Sequence, residues 1–112
     1  MLDGDPDRLR LAYSLLFSLP GTPVLFYGEE IGMGENLDIE GRLSVRSPMQ
    51  WSDEPHGGFS TVAVREALCR PVVDDERFGP AAINVARQRR EHDSLLNWFE
   101  RLIRRRRECP EI

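Results

Sequence analysis

The apolar positions of this chain fall into three main stretches, and the spacing within each predicts an element. Leu9, Ala12, Tyr13 and Leu16 recur at helical spacing, and Leu11, Leu15 and Phe17 widen that face far beyond one stripe. A helix this apolar expects neighbours on more than one side. Asp5-Pro6-Asp7 opens it. Asp5 can accept from free backbone N–H groups, Pro6 suits the first helical position, and Asp7 meets the positive end of the helix dipole. Leu19-Pro20-Gly21 closes it, so a helix is expected over residues 5–19.

The second stretch has no rhythm at all. Val24-Leu25-Phe26-Tyr27 is an unbroken apolar run between Pro23 and Gly28. It is too short for a buried helix, and a continuous run marks a strand covered on both faces, as in the parallel sheets of α/β proteins. A strand is therefore expected over residues 22–28. In such folds ligands gather at the carboxyl ends of strands, which here is Tyr27-Gly28-Glu29-Glu30.

Residues 34–80 read as one long loop region, with Gly34, Gly41, Gly57, Gly58, Pro48 and Pro55 as punctuation. Met49, Trp51 and Phe59 argue for packing there rather than disorder, and a short helix is expected around Ala63–Leu68, stopped by Pro71. Ile83–Arg90 reads as another short helix. The third stretch is helical again. Leu95, Trp98, Phe99, Leu102 and Ile103 share a face, Ser94 is a candidate N-cap, and Pro110 stops a helix expected over residues 94–108. The order helix, strand, loop, helix offers one buried strand and no second. The chain thus reads as a piece of a larger α/β fold, incomplete as a domain.

Composition changes this picture little. A length of 112 residues suits one small domain, and 40% hydrophobic with 30% charged residues is ordinary for a soluble protein. All fifteen basic residues are Arg. Residues 1–86 carry seven Arg against fourteen carboxylates, and residues 87–112 carry eight against five. The basic run Arg104–Arg107 spans every face of its helix and is diluted by Glu100 and Glu108. It reads as a solvated helix end, with no nucleic acid as partner. Cys69 and Cys109 lack the spacing of a metal site or a disulfide framework, and read as reduced thiols of a cytoplasmic protein. Met1–Asp5 is polar and acidic, unlike a secretory leader, and no run reaches the length of a membrane span.

Glu29 and Glu30 invite a catalytic reading. A glycosidase sets two carboxylates about 5 Å apart for retention or about 6.5–9.5 Å for inversion. Neighbours on a strand point to opposite faces, so contacts with loop N–H groups or ion pairs are expected instead. Arg42 and Arg46 are the stronger candidates for binding, since a guanidinium beyond a strand end offers a fixed fork of donors to hydroxyls or a carboxylate. Arg46 bracing its loop through carbonyls or Glu29/Glu30 is the competing reading. Trp51, beside Pro48 and Met49, is expected to be packed rather than stacked on a sugar. Gly28, Gly32 and Gly34 do not have dinucleotide-loop spacing, and Glu29, Glu30 and Glu35 would repel phosphate. His56 and His92 have no metal-ligand spacing and are expected to face solvent. No cofactor and no metal is expected.

Leu19-Pro20-Gly21-Thr22-Pro23-Val24-Leu25-Phe26-Tyr27-Gly28-Glu29-Glu30-Ile31-Gly32-Met33-Gly34 resembles the last barrel strand of the α-amylase family of glycoside hydrolases. Val45-Arg46-Ser47-Pro48-Met49-Gln50-Trp51-Ser52 resembles a motif of that family's α-glucosidase and trehalose synthase branch, and Asn84-Val85 with Ser94-Leu95-Leu96-Asn97-Trp98 gives a third match. The resemblance implies a fragment of a (β/α)8 TIM barrel: the last helix, strand, loop and helix. It implies a complete retaining enzyme that interconverts maltose and trehalose through a covalent glucosyl intermediate. Its partners would be an α-glucoside disaccharide and the missing barrel portion. The family's catalytic acids come from earlier strands, so no catalytic residue is carried over. Arg42 and Arg46 map to a loop bordering the glucose subsite, although Leu43-Ser44 stands where the family usually has a polar or Gly-containing pair. Two alternatives remain: a hydrolase fragment of the α-glucosidase branch, and a free-standing interaction module using the Leu9–Leu16 face.

Overall fold

A computed structural model describes residues 4–109. Three α-helices occur among them: α1 (Pro6–Ser18), α2 (Val85–Arg90) and α3 (Leu95–Arg107). Four short 3-10 turns lie between α1 and α2, at Glu29–Ile31, Gly41–Val45, Pro55–Gly58 and Arg65–Ala67. Asp5 caps α1, its side chain accepting from the N–H groups of Asp7 and Arg8 at 2.9 and 3.3 Å. Asn84 and Ser94 cap α2 and α3 through the N–H groups of Arg87 and Asn97. The expected stop at Pro110 and the reading of Met1–Asp3 lie outside the described residues. No helix among the described residues is long and apolar enough to cross a membrane.

One expected element is absent and another is reduced. Residues 22–28 form no strand, and no strand occurs among the described residues. Residues 22–26 run through irregular backbone before a turn, and Val24 is 83% exposed. A parallel strand draws its ladder bonds from neighbouring strands, and nothing among the described residues offers one. The Ala63–Leu68 helix shrinks to the single 3-10 turn Arg65–Ala67. Arg65 ties that turn to Asp74 and to the carbonyl of Val72, so a local cross-link takes the place of a second helical turn.

Two apolar clusters hold the chain together. In the first, α1 packs on α3 through Phe99, which is 1% exposed. The Phe99 ring meets those of Tyr13, Phe17 and Trp98 edge-on, with centroids at 4.6, 6.0 and 5.4 Å. Edge-to-face contact of this kind stabilises beyond simple burial, and Phe99→Ala would cost about 3–5 kcal/mol. The second cluster sets Ile31, Met49 and Val85 together, with Met33, Ile83 and Leu96 against them. It joins the turn after the extended run, the middle of the long loop, and α2.

Arg106 couples the ends of α1 and α3. Its guanidinium donates to the carbonyls of Phe17, Leu19 and Gly21. Those carbonyls lie at the negative end of α1, where a cation is most favourable. The basic run is therefore not wholly solvated. Arg106 is half-buried in this role, Arg104 and Arg105 pair with Glu100 and Glu108, and Arg101 donates to the carbonyl of His92.

The unpaired run and the exposed outer face of α1, where Leu11 and Leu15 face solvent, form an uncovered apolar edge. Such an edge templates association. The purified chain is expected to self-associate or to keep helix without fixed packing, seen as concentration-dependent sedimentation and poorly dispersed amide signals. A monomer with a sharp thermal transition and dispersed amides would show instead that residues 1–112 are an autonomous domain.

Candidate functional site

The extended run ends in a self-closed turn. Gly28 takes φ +91°, a left-handed conformation that favours glycine, and a Cβ there would also meet the Met33 side chain at 3.0 Å. Its carbonyl accepts from Ile31 and Met33 at 3.3 and 2.9 Å. Glu29 Oε2 accepts from the Phe26 N–H at 3.0 Å, and Glu30 Oε2 from the Gly28 N–H at 2.8 Å. Each carboxylate thus satisfies a backbone donor of its own turn. These are the loop N–H contacts expected of the two carboxylates. Tyr13 on α1 faces the turn. Burial, and next the charges of Glu29 and Glu30, push its hydroxyl up to about 12 from its ordinary 10.0.

The long loop then leaves the turn. Asn36 N–H donates to the Ser44 carbonyl at 2.9 Å, closing residues 36–44 into a bend that includes the 3-10 turn carrying Arg42. Arg42 and Arg46 are both exposed. Among the described residues neither guanidinium has a hydrogen-bond or ion-pair partner, so Arg46 does not brace the loop through Glu29 or Glu30.

Immediately after Arg46 the chain dives inward. Ser47, Pro48, Met49 and Gln50 are all buried. The Tyr27 hydroxyl donates to the Ser47 carbonyl at 2.9 Å. Gln50 is 0% exposed, and its Nε2 donates to the carbonyls of Phe78 and Ile83 at 3.0 and 2.6 Å. The Gln50 and Trp51 carbonyls accept from Val85 and Ala86 at 3.0 and 2.9 Å, the first N–H groups of α2. Contrary to expectation, Trp51 is 48% exposed, although its backbone is held on both sides. His56 is half-buried rather than solvated, with Nε2 at 2.9 Å from the Val62 carbonyl; His92 is exposed, as are Cys69 and Cys109.

A cleft of about 710 Å³ opens beside the turn, between Tyr13, Tyr27, Glu29, Met33 and Phe78. Its wall also holds Glu35, Asp38, Asp74 and Asp75, but not Arg42 or Arg46. Among the described residues no group of three or more His, Cys, Asp or Glu side chains is placed to hold a metal ion. The two sequence candidates are therefore exposed in the same loop, and neither lines the cleft, although Val45 beside Arg46 does. Gln50 and Tyr27, which hold the segment after Arg46, were quoted in the sequence only as parts of longer stretches, with no role given to either side chain. The one available signal was an amide set between the large apolar residues Met49 and Trp51.

Residues 4–112 match the family described as alpha amylase, catalytic domain. The trehalose synthase of Pimelobacter sp. (strain R48) is 43% identical over 108 residues, covering 96% of this chain and 19% of the relative. The trehalose synthase/amylase TreS of Mycobacterium tuberculosis is 44% identical over 110 residues, covering 98% of this chain and 18% of its own length. The trehalose synthase of Thermus thermophilus is 39% identical over 112 residues, 100% of this chain and 12% of the relative. The chain thus spans less than a fifth of the length of these relatives.

The Tyr13 environment has a consequence at high pH. Its folded-state value lies above its ordinary one, so the folded protein keeps the proton longer than the unfolded chain. The stability this contributes is complete below about 10 and is lost as pH rises towards about 12. Ultraviolet titration should show one late-ionising tyrosine, absent in Tyr13→Phe, and that variant should lose less stability across this window. A titration unchanged by the substitution would show that Tyr13 is not so held.

Proposed function

The chain belongs to the alpha-amylase catalytic-domain family, and we propose that it is a segment of a trehalose synthase-like enzyme that interconverts maltose and trehalose. The observation that carries this reading is the similarity to three proteins named trehalose synthase across nearly the whole chain. In this reading residues 22–28 become the last strand of a (β/α)8 barrel once neighbouring strands supply ladder partners, and α3 becomes its last helix. The rest of the barrel is then the chain's first partner. It would cover the exposed Val24 and the outer face of α1. The activity is that of a cytoplasmic isomerase working by glucosyl transfer with retention.

Within that enzyme the segment supplies the rim of the pocket. Arg46, exposed and unengaged among the described residues, offers its donors to the hydroxyls of the glucosyl group, and Arg42 lies beside it in the same loop. In this reading the catalytic acids belong to other strands of the barrel, in keeping with the contacts of Glu29 and Glu30, each of which accepts from a nearby backbone donor. A second reading, hydrolysis rather than transfer, is favoured by the word amylase in the name of the Mycobacterium tuberculosis relative. Water and glucose would compete for the same intermediate, and product analysis separates the two.

The purified chain is expected to form no trehalose from maltose, since a rim cannot replace an acid and a nucleophile. Trehalose formation by it would overturn this. In the complete protein carrying the segment, Arg46→Ala is expected to lower kcat/KM by an amount worth about 1.5–3 kcal/mol, the value of a hydrogen bond from a charged group. An unchanged kcat/KM with a lower Tm would make Arg46 a structural brace instead.

A further inference from the structure

The exposed guanidinium of Arg46 is the end of a long, flexible lever, and what aims such a lever is the backbone beneath it. Here that backbone is the buried segment of residues 47–50, held at one end by the side chain of Tyr27 and at the other by Gln50's own side chain, which reaches distant carbonyls. Tyr27, at the end of the extended run, donates its hydroxyl to the Ser47 carbonyl at 2.9 Å. Gln50 donates to the Phe78 and Ile83 carbonyls, and its own carbonyl accepts from Val85 at the start of α2. Between them Pro48 fixes its own φ and removes a backbone donor from a buried stretch. Arg46 itself is tied by its N–H to the Leu43 carbonyl at 3.1 Å.

We propose that Gln50 and Tyr27 are positioning residues for Arg46, fixing the two ends of the buried segment from which its guanidinium reaches the substrate. Neither touches substrate in this scheme. Gln50 has no exposed surface, and the Tyr27 hydroxyl is spent on Ser47. The inference rests on the reading of Arg46 as a rim residue and names what makes that rim rigid. Displacements of about 1 Å at a binding group cost up to about 100-fold in rate. Losing either anchor should therefore appear in catalysis as well as in stability.

The test uses Gln50→Met and Tyr27→Phe, each alone and combined with Arg46→Ala, in the complete protein carrying this segment. Gln50→Met keeps length while removing both donated bonds, and Tyr27→Phe removes only a hydroxyl. Each is expected to lower kcat/KM for maltose by about 10-fold or more. On the Arg46→Ala background neither should lower it further, while the fall in Tm persists on both backgrounds. Equal fold-losses with and without Arg46 would overturn the inference, as would an Arg46→Ala variant with unimpaired kcat/KM. A readout independent of activity is amide exchange. Gln50→Met should speed exchange at Val85 and Ala86, whose N–H groups rest on the carbonyls of Gln50 and Trp51; unchanged exchange would sink the anchoring role. Should the unsubstituted protein leave maltose untouched, the substrate reading fails by itself, and the exchange result still decides whether Gln50 fixes the segment.

Discussion

Every buried backbone N–H and carbonyl needs a partner, and the described residues meet that demand without a sheet. Side chains do the work a ladder would do. Gln88 donates to the Ile31 carbonyl at 2.7 Å and accepts from the Leu96 N–H at 3.0 Å, so one amide joins the turn after the extended run to the start of α3. Asn97 and Ser94 return to the Gln88 carbonyl, closing α2 against α3. Gln50 does the same for the long loop and Arg106 for the end of α1. Removing one such group leaves one or more carbonyls stranded, at about 1–3 kcal/mol for each buried one. The fold therefore depends on a few polar side chains more than the size of its apolar clusters suggests.

The same constraint explains the division between the rim and what lies under it. A loop whose backbone bonds are supplied by buried amides can expose its remaining side chains without losing shape. Arg42, Arg46 and Trp51 are exposed, whereas Ser47 to Gln50 are not. Within this loop the bonding is incomplete at two atoms. Gln50 Oε1 and Ser47 Oγ are buried without a partner among the described residues. An orphan acceptor beside a firmly held segment is a cost that a donor from elsewhere in a larger barrel would relieve.

What could be read from the sequence was local. Asp5 and Ser94 cap their helices because a short polar side chain before an apolar period carries its own geometry. The carboxylates of Glu29 and Glu30 meet N–H groups within three residues, again a local matter. What could not be read was long-range. The strand at 22–28 does not form because no partner strand occurs among the described residues, and an apolar run carries no information on whether partners are present. Arg106 looked like its neighbours in a run of four, yet it alone reaches carbonyls 85 to 89 residues away. Trp51 was expected to pack because its sequence neighbours are apolar, but those neighbours fill the core and leave the indole half outside. Gln50 offered no period, charge or motif chemistry, only an amide where an apolar residue would have fitted.

Two parts of the molecule thus differ in their self-sufficiency. The turn at 28–33 closes on itself, through Gly28 and the two carboxylates, and the loop segment at 47–51 closes on α2. Neither needs a neighbouring strand to hold its form. The run at 22–27 does, and Val24 stands in solvent without one. In a complete barrel the order of events then has a physical direction. Helices and rim loops hold local bonds of their own. In the barrel proposed above, the strand's ladder bonds would form only on closure, which would bury the outer face of α1 in the same step. A substitution at Val24, Leu25 or Phe26 should therefore fall mainly on barrel closure, and one at Gln50 mainly on the aim of Arg46.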